Sequence, residues 1–174
     1  AQAEKEAEEK VKALFDRGVK AYEAERYPDA LLALDEALMI APNFDSALVL
    51  RGAVLARMKK PKPALESLER GITVGRNTRG ADDEWLHWPY MEKGLILLAV
   101  RQPVQAYEAF GESIRAKPTP KALLARANLA FAQGRALGSK DDWDGAEPFF
   151  RQAQADAERG LELEPESAQF WSIK

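Results

Sequence analysis

Residues 11–43 read VKALFDRGVKAYEAERYPDALLALDEALMIAPN, and this stretch decides the fold. Leu14, Gly18 and Ala21 fall at i, i+4 and i+7. After a break at Glu25-Arg26-Tyr27-Pro28, Ala30, Leu34, Ala37 and Leu38 fall at i, i+4, i+7 and i+8. Both spacings put the apolar residues on one face of an α-helix. Pro28 suits a first helical turn, where its missing N–H removes no intrahelical bond. Pro42 disfavours helix at the residue before it and stops the second segment. The stretch is a helix–turn–helix hairpin.

The hairpin recurs. Gly18 is followed by Gly52 and Gly94, and Ala30 by Ala64 and Ala106, at the same separations of 34 and 42 residues. Asn128, 34 residues after Gly94, takes the glycine place of a fourth copy. A period near 34 with small residues at fixed offsets resembles the tetratricopeptide repeat, whose pattern runs Trp-x2-Leu-Gly-x2-Tyr, then Ala-x3-Phe-x2-Ala, then Pro. The first copy supplies Leu14, Arg17, Gly18, Ala21, Ala30, Leu34, Ala37 and Pro42. The second supplies Leu48, Arg51, Gly52, Leu55, Ala64, Leu68 and Gly71, with Arg76 in the proline place. The third supplies Tyr90, Lys93, Gly94, Leu97, Ala106, Phe110, Ser113 and Pro118. A cation replaces the family's leucine in all three. In the fourth, Leu124, Ala127, Asn128 and Phe131 are followed by Trp143, Ala146, Phe150 and Ala153, six residues behind the ideal register, and by Pro165, seven behind. Trp171 stands where a fifth copy would begin.

The resemblance implies an all-α, right-handed solenoid of about four repeats plus a C-terminal helical stub, forming one domain over residues 1–174. Repeats are expected at about 11–44, 45–78, 87–120 and 121–167. Residues 1–10 form a charged helical extension, 79–86 and 138–144 are insertions, and 168–174 begin a fifth repeat or cap the fourth. Helices are expected at about 5–24, 28–41, 45–58, 62–74, 87–100, 103–116, 120–137, 145–163 and 167–172.

Composition narrows the function. With 46% apolar and 30% charged residues, the chain is neither disordered nor membrane-inserted. No apolar run approaches the 18 or so residues of a membrane helix. A net charge of −3, with both signs interspersed, argues against nucleic-acid binding by phosphate neutralisation. There is no cysteine, and His87 is the only histidine, so thiolate, Ser–His and multi-histidine metal chemistry lack their residues. Asp142-Trp143-Asp144-Gly145 echoes a calcium loop, but aligning its glycine puts Lys140 and Arg151 at ligand places. No catalytic residue, metal or cofactor is expected. Ala1-Gln2-Ala3 has the small-residue character left after leader removal, or marks a shortened chain. The first reading favours an exported, periplasmic bacterial protein over a cytoplasmic one.

Both insertions join acids to a tryptophan, and Asp82, Asp83 and Trp85 form a candidate secondary contact patch. The competing reading is local: Asp82 or Asp83 caps a helix starting near Glu84, Asp144 caps the next with Glu147, and Trp143 fills a core place.

The resemblance also implies a partner-binding concave face lined by first helices. Carried over by motif position, its residues are Phe15, Val19 and Tyr22; Val49, Ala53 and Ala56; Met91, Leu95 and Leu98; Ala125, Leu129 and Ala132; Trp88 borders them. Some family members hold acidic C-termini of heat-shock chaperones with a Lys/Asn/Arg clamp. Phe15, Val19, Leu50, Trp88 and Glu92 stand there instead, so that ligand class is rejected. An apolar groove suits a peptide or amphipathic helix of another protein. The expected function is a non-catalytic scaffold or adaptor. The alternatives are a homo-oligomer that completes its array in a neighbour, and an accessory subunit of an envelope or enzyme assembly.

Overall fold

Among the described residues, four that are not glycine have positive φ: Glu25 (56°), Lys59 (59°), Arg101 (62°) and Asp141 (60°). They lie five residues ahead of Ala30, Ala64, Ala106 and Ala146 respectively. After each, the next amide reaches back five residues: Arg26 N–H to Ala21 O, Lys60 to Leu55, Gln102 to Leu97 and Asp142 to Leu137, at 2.8, 2.9, 2.8 and 3.2 Å. This left-handed stop satisfies carbonyls at the helix end and reverses the chain. The same turn is used four times, so there are four hairpins.

The computed structural model describes residues 2–173. Its helices are α1 (Gln2–Glu23), α2 (Tyr27–Ile40), α3 (Asp45–Arg57), α4 (Pro61–Arg79), α5 (His87–Ala99), α6 (Pro103–Ala116), α7 (Pro120–Gly138), α8 (Trp143–Leu163) and the one-turn α9 (Ala168–Trp171). A 3-10 turn, Glu84–Leu86, precedes α5. Among the described residues there is no strand, and no helix is long and apolar enough to cross a membrane. The expectations for Ala1 and Lys174 lie outside the described residues. Each odd-numbered helix from α1 to α7 packs on the next even one, and each hairpin packs on the following one. The alanines that open the second helices, Ala30, Ala64, Ala106 and Ala146, are wholly buried.

The cations in the leucine place have a physical cause. Arg17 reaches Glu36 at 3.5 Å, Arg51 reaches Asp35 at 2.6 Å, and Lys93 reaches Glu69 at 3.0 Å. Each links a first helix to an acid on a second helix, so an ion pair stands where the family packs leucine.

The fourth repeat corrects the sequence reading. In the first three hairpins the glycine faces the large residue sixteen places on: Gly18 with Leu34, Gly52 with Leu68, Gly94 with Phe110. In the fourth, Gly134 does this with Phe150, while Asn128 is exposed. The true glycine place is therefore Gly134, twelve residues before Ala146 as in every other hairpin. Residues 138–144 are not an insertion. They contain the end of α7 and the ordinary turn. The extra residues sit at the open end of the hairpin. At 19 residues α7 outruns the 13 of α5, and at 21 residues α8 outruns the 14 of α6. Arg126 and Asp156 join these lengthened helices at 2.6 and 2.8 Å.

Residues 79–86 are also structural. Helix α4 runs to Arg79, five residues past the expected end. The Trp85 N–H donates to Asp83 Oδ1 at 2.8 Å, which caps the 3-10 turn. The Trp85 ring lies on Gly75 and under the Arg79 guanidinium, 4.6 Å from it. Arg79 in turn grips Asp45 at the start of α3, at 2.7 and 3.3 Å. At the far end, Phe170 is buried against Gly160, whereas Trp171 is 58% exposed and donates its indole N–H to Pro165 O at 3.2 Å. Phe170, not Trp171, is the aromatic residue that closes the core.

Candidate partner-binding face

Helix α3 occupies the centre of the expected concave line, and it has almost no free surface. Val49 and Ala53 are 0% exposed. Val49 packs so closely on α4 that a Cβ at Gly71 would lie 2.7 Å from its Cγ2. Met91 is also buried. These three assigned contact residues belong to the core. Val49 is closed in by α4, and the Trp88 indole packs against both the Leu50/Val54 cluster and the Val49/Leu55 cluster.

The remaining residues of this half line the face but are largely engaged. Phe15, Val19, Tyr22 and Trp88 are half-buried around α3. The Phe15 ring meets Phe44 at 4.9 Å, and Tyr22 meets Tyr27 at 6.0 Å. Arg57 on α3 donates to Glu92 on α5 at 3.2 and 3.4 Å, and Glu92 is 4% exposed. Burial works against the Arg57 charge, but the Glu92 carboxylate outweighs it and holds the guanidinium pKa above its ordinary value. Burial raises the pKa of the neighbouring Tyr22 phenol. Arg57 is thus already occupied by an internal carboxylate.

The other half is more open. Leu95 and Leu98 are half-buried. The register shift moves the fourth helix's contact places from Ala125, Leu129 and Ala132 to Phe131, Arg135 and Gly138. Six residues of α-helix turn by about 600°, so the first set points about a third of a turn away from the second. Leu129 accordingly opens into a hollow of about 240 Å³ with Val104 and Tyr107 of α6 and Phe149 of α8. Ala125 packs against the same core as Leu129. Phe131 is 38% exposed and meets Phe150 edge-on at 5.7 Å. The twelve-residue spacing from Gly134 to Ala146 is the sequence signal that would have found it.

The secondary patch does not form as expected. Asp83 caps and Trp85 packs inward, which leaves Asp82 alone exposed. At the next turn the cap is Asp142, whose Oδ1 accepts from Gly145 N–H at 3.0 Å, not Asp144. Trp143 rests one ring edge on Gly138 but is 63% exposed, so its place is not a core place here. His87 Nδ1 lies 2.9 Å from the Glu84 carbonyl. Among the described residues no cluster of His, Cys, Asp and Glu could hold a metal.

The fold matches solved tetratricopeptide-repeat structures. YrrB, described as a protein of this repeat with an unusual peptide-binding site, aligns over 98% of this chain and 95% of its own, with TM-score 0.62 and 14% identity. MamA from Desulfovibrio magneticus RS-1 aligns over 90% and 78%, with TM-score 0.63 and 23% identity. The first repeat domain of Spaghetti (RPAP3), solved with the HSP90 peptide SRMEEVD, aligns over 72% and 94%, with TM-score 0.63 and 16% identity. No protein-family model and no curated protein matches the sequence. The protein is an α-solenoid. More narrowly, its four hairpins have the tetratricopeptide-repeat fold.

Proposed function

We propose that the protein is a non-catalytic adaptor that holds a peptide or amphipathic helix of a partner on its concave face, chiefly along α5 and α7. The observation that carries this reading is the contrast between the two halves of that face. Trp88 and the Arg57–Glu92 pair fill the first half. Leu95, Leu98 and Phe131 keep apolar surface on successive first helices of the second. Exposed apolar patches of this kind mark interaction sites. The peptide bound by RPAP3 and the peptide-binding site described for YrrB support the general class of ligand, not its identity. The test is a photo-cross-linking residue at Phe131, with Asp82 as the control position. Cross-links to one partner from Phe131 alone, followed by reconstituted binding with that partner, support the reading. Equal cross-linking from both positions rejects it.

Self-association is the second reading, because Leu163 and Trp171 leave large apolar side chains exposed at the last hairpin. Light scattering over a range of concentrations separates it from a monomeric adaptor.

A further inference from the structure

Helices α1 and α7 are the two long first helices, and both are extended at their N-termini. Their registers superpose by Gly18 on Gly134, so Ala7 and Val11 correspond to Leu123 and Ala127. In the fourth hairpin this stripe is covered. Leu123 and Ala127 are wholly buried, and Leu123 shares a cluster with Ala157 and Phe170. The cover comes from Ala157 and Leu161 in the last two turns of α8, together with Phe170 of α9. In the first hairpin α2 stops at Ile40 and the chain turns away into α3. The equivalent stripe is left partly exposed and borders an open hollow of about 630 Å³, walled opposite by Ile40, Pro42 and Phe44. The hollow is the place that a helix fills in the fourth hairpin.

Two charges flank it. Glu8 and Lys12 both line the hollow, one turn apart. Among the described residues neither is ion-paired, although the adjacent Lys5 and Glu9 pair with each other at 3.9 Å. A helix taking the path of α8 would run antiparallel to α1. Its earlier residues would face Lys12 and its later residues Glu8. The complementary order is an acid followed four residues later by a base, which is also the favoured order within a helix.

We propose that this hollow docks one amphipathic helix of a partner protein, antiparallel to α1, with an acidic residue against Lys12 and a basic residue against Glu8. Its apolar stripe rests on Ala7, Val11 and Phe15. The site differs from the α5–α7 surface, and only Phe15 belongs to both the hollow and the concave line read from the sequence.

The test uses two labelled, helix-stabilised peptides of about 14 residues, roughly four turns. They share one composition and one leucine–alanine stripe. One carries Glu at i and Lys at i+4 beside the stripe, and the other has the two swapped. Fluorescence anisotropy with the whole protein is expected to show the Glu-then-Lys peptide binding about tenfold tighter. The double variant Glu8→Lys with Lys12→Glu reverses that preference, and Val11→Glu weakens both peptides at unchanged melting temperature. If Val11→Glu loses its fold, the charge reversal at two exposed positions still decides. Equal affinities, no binding of either peptide up to about 1 mM, or binding abolished by Leu98→Glu with Phe131→Glu would each overturn the proposal. Self-association of the free protein that Val11→Glu abolishes would give the hollow to a second copy and overturn it too.

Discussion

Gly134 lies against the ring of Phe150, so close that a Cβ there would stand 2.9 Å from Cε1. The contact sets the register of the last hairpin and gives its test. Gly134→Val needs the Phe150 ring to move and introduces a stiff β-branched side chain, at a cost of about 1–3 kcal/mol. Asn128→Ala, at an exposed helical position, changes stability by no more than about 0.5 kcal/mol and in the favourable direction. Urea denaturation of the two variants checks both. Equal destabilisation would return the glycine place to Asn128.

The pattern from 11 to 118 was legible because one hairpin is repeated there with its glycine and alanine twelve residues apart. The fourth copy misled because Asn128 happens to keep the 34-residue step, while the six extra residues precede Gly134 within α7. The concave face was less legible. Motif places say which way a side chain points from its own helix. They do not say what a neighbouring repeat lays over it. Trp88, from the next hairpin, packs against the clusters that hold Leu50 and Val49, Gly71 of α4 closes on Val49, and no property of Val49 or Ala53 announces their burial.

The burial of Val49 takes it out of the open apolar groove expected from the sequence. At 0% exposure the new carboxylate of a Val49→Glu variant is cut off from water. Val49→Glu is expected to destabilise by several kcal/mol or unfold the protein. Leu98→Glu, at a half-buried position, is expected to cost under about 2 kcal/mol. Thermal melts by circular dichroism compare them. A stable Val49→Glu variant would show that α3 is open.

The four positive-φ turn residues are a reserve of stability. Lys59 holds φ 59° without the freedom of glycine. Left-handed backbone costs an ordinary residue about 1–2 kcal/mol. Lys59→Gly removes that strain but gains entropy in the unfolded chain, so a net stabilisation of about 0.5–1 kcal/mol is expected. The same change at Lys60, one residue outside the strained position, is expected to stabilise nothing. A shift in the denaturation midpoint for Lys59→Gly alone is the signature.

The Asp45–Arg79 contact makes one part of the stability depend on pH. Burial alone would raise the Asp45 pKa. Hydrogen bonds from Arg79 and from the Ser46 amide and hydroxyl outweigh it and hold the carboxyl below its ordinary value of 3.8. Arg79 is pushed upward, chiefly by its hydrogen bond to Asp45, and stays charged throughout the acid range. A carboxyl depressed in the folded state binds protons more readily when unfolded. Its contribution is therefore complete above the ordinary carboxylate value and lost as pH falls through the lower, folded one. Asp45→Asn removes the charge and is expected to cost about 1–2 kcal/mol at pH 7, discounted for the solvent around Arg79. Below the folded pKa the variant and the parent should converge, because Asp45 is then neutral in both. Urea midpoints measured from pH 7 to pH 2 decide it. A stability difference that stays constant down to pH 2 would mean that Asp45 acts through its shape and amide-cap geometry, and not through the charge that Arg79 grips.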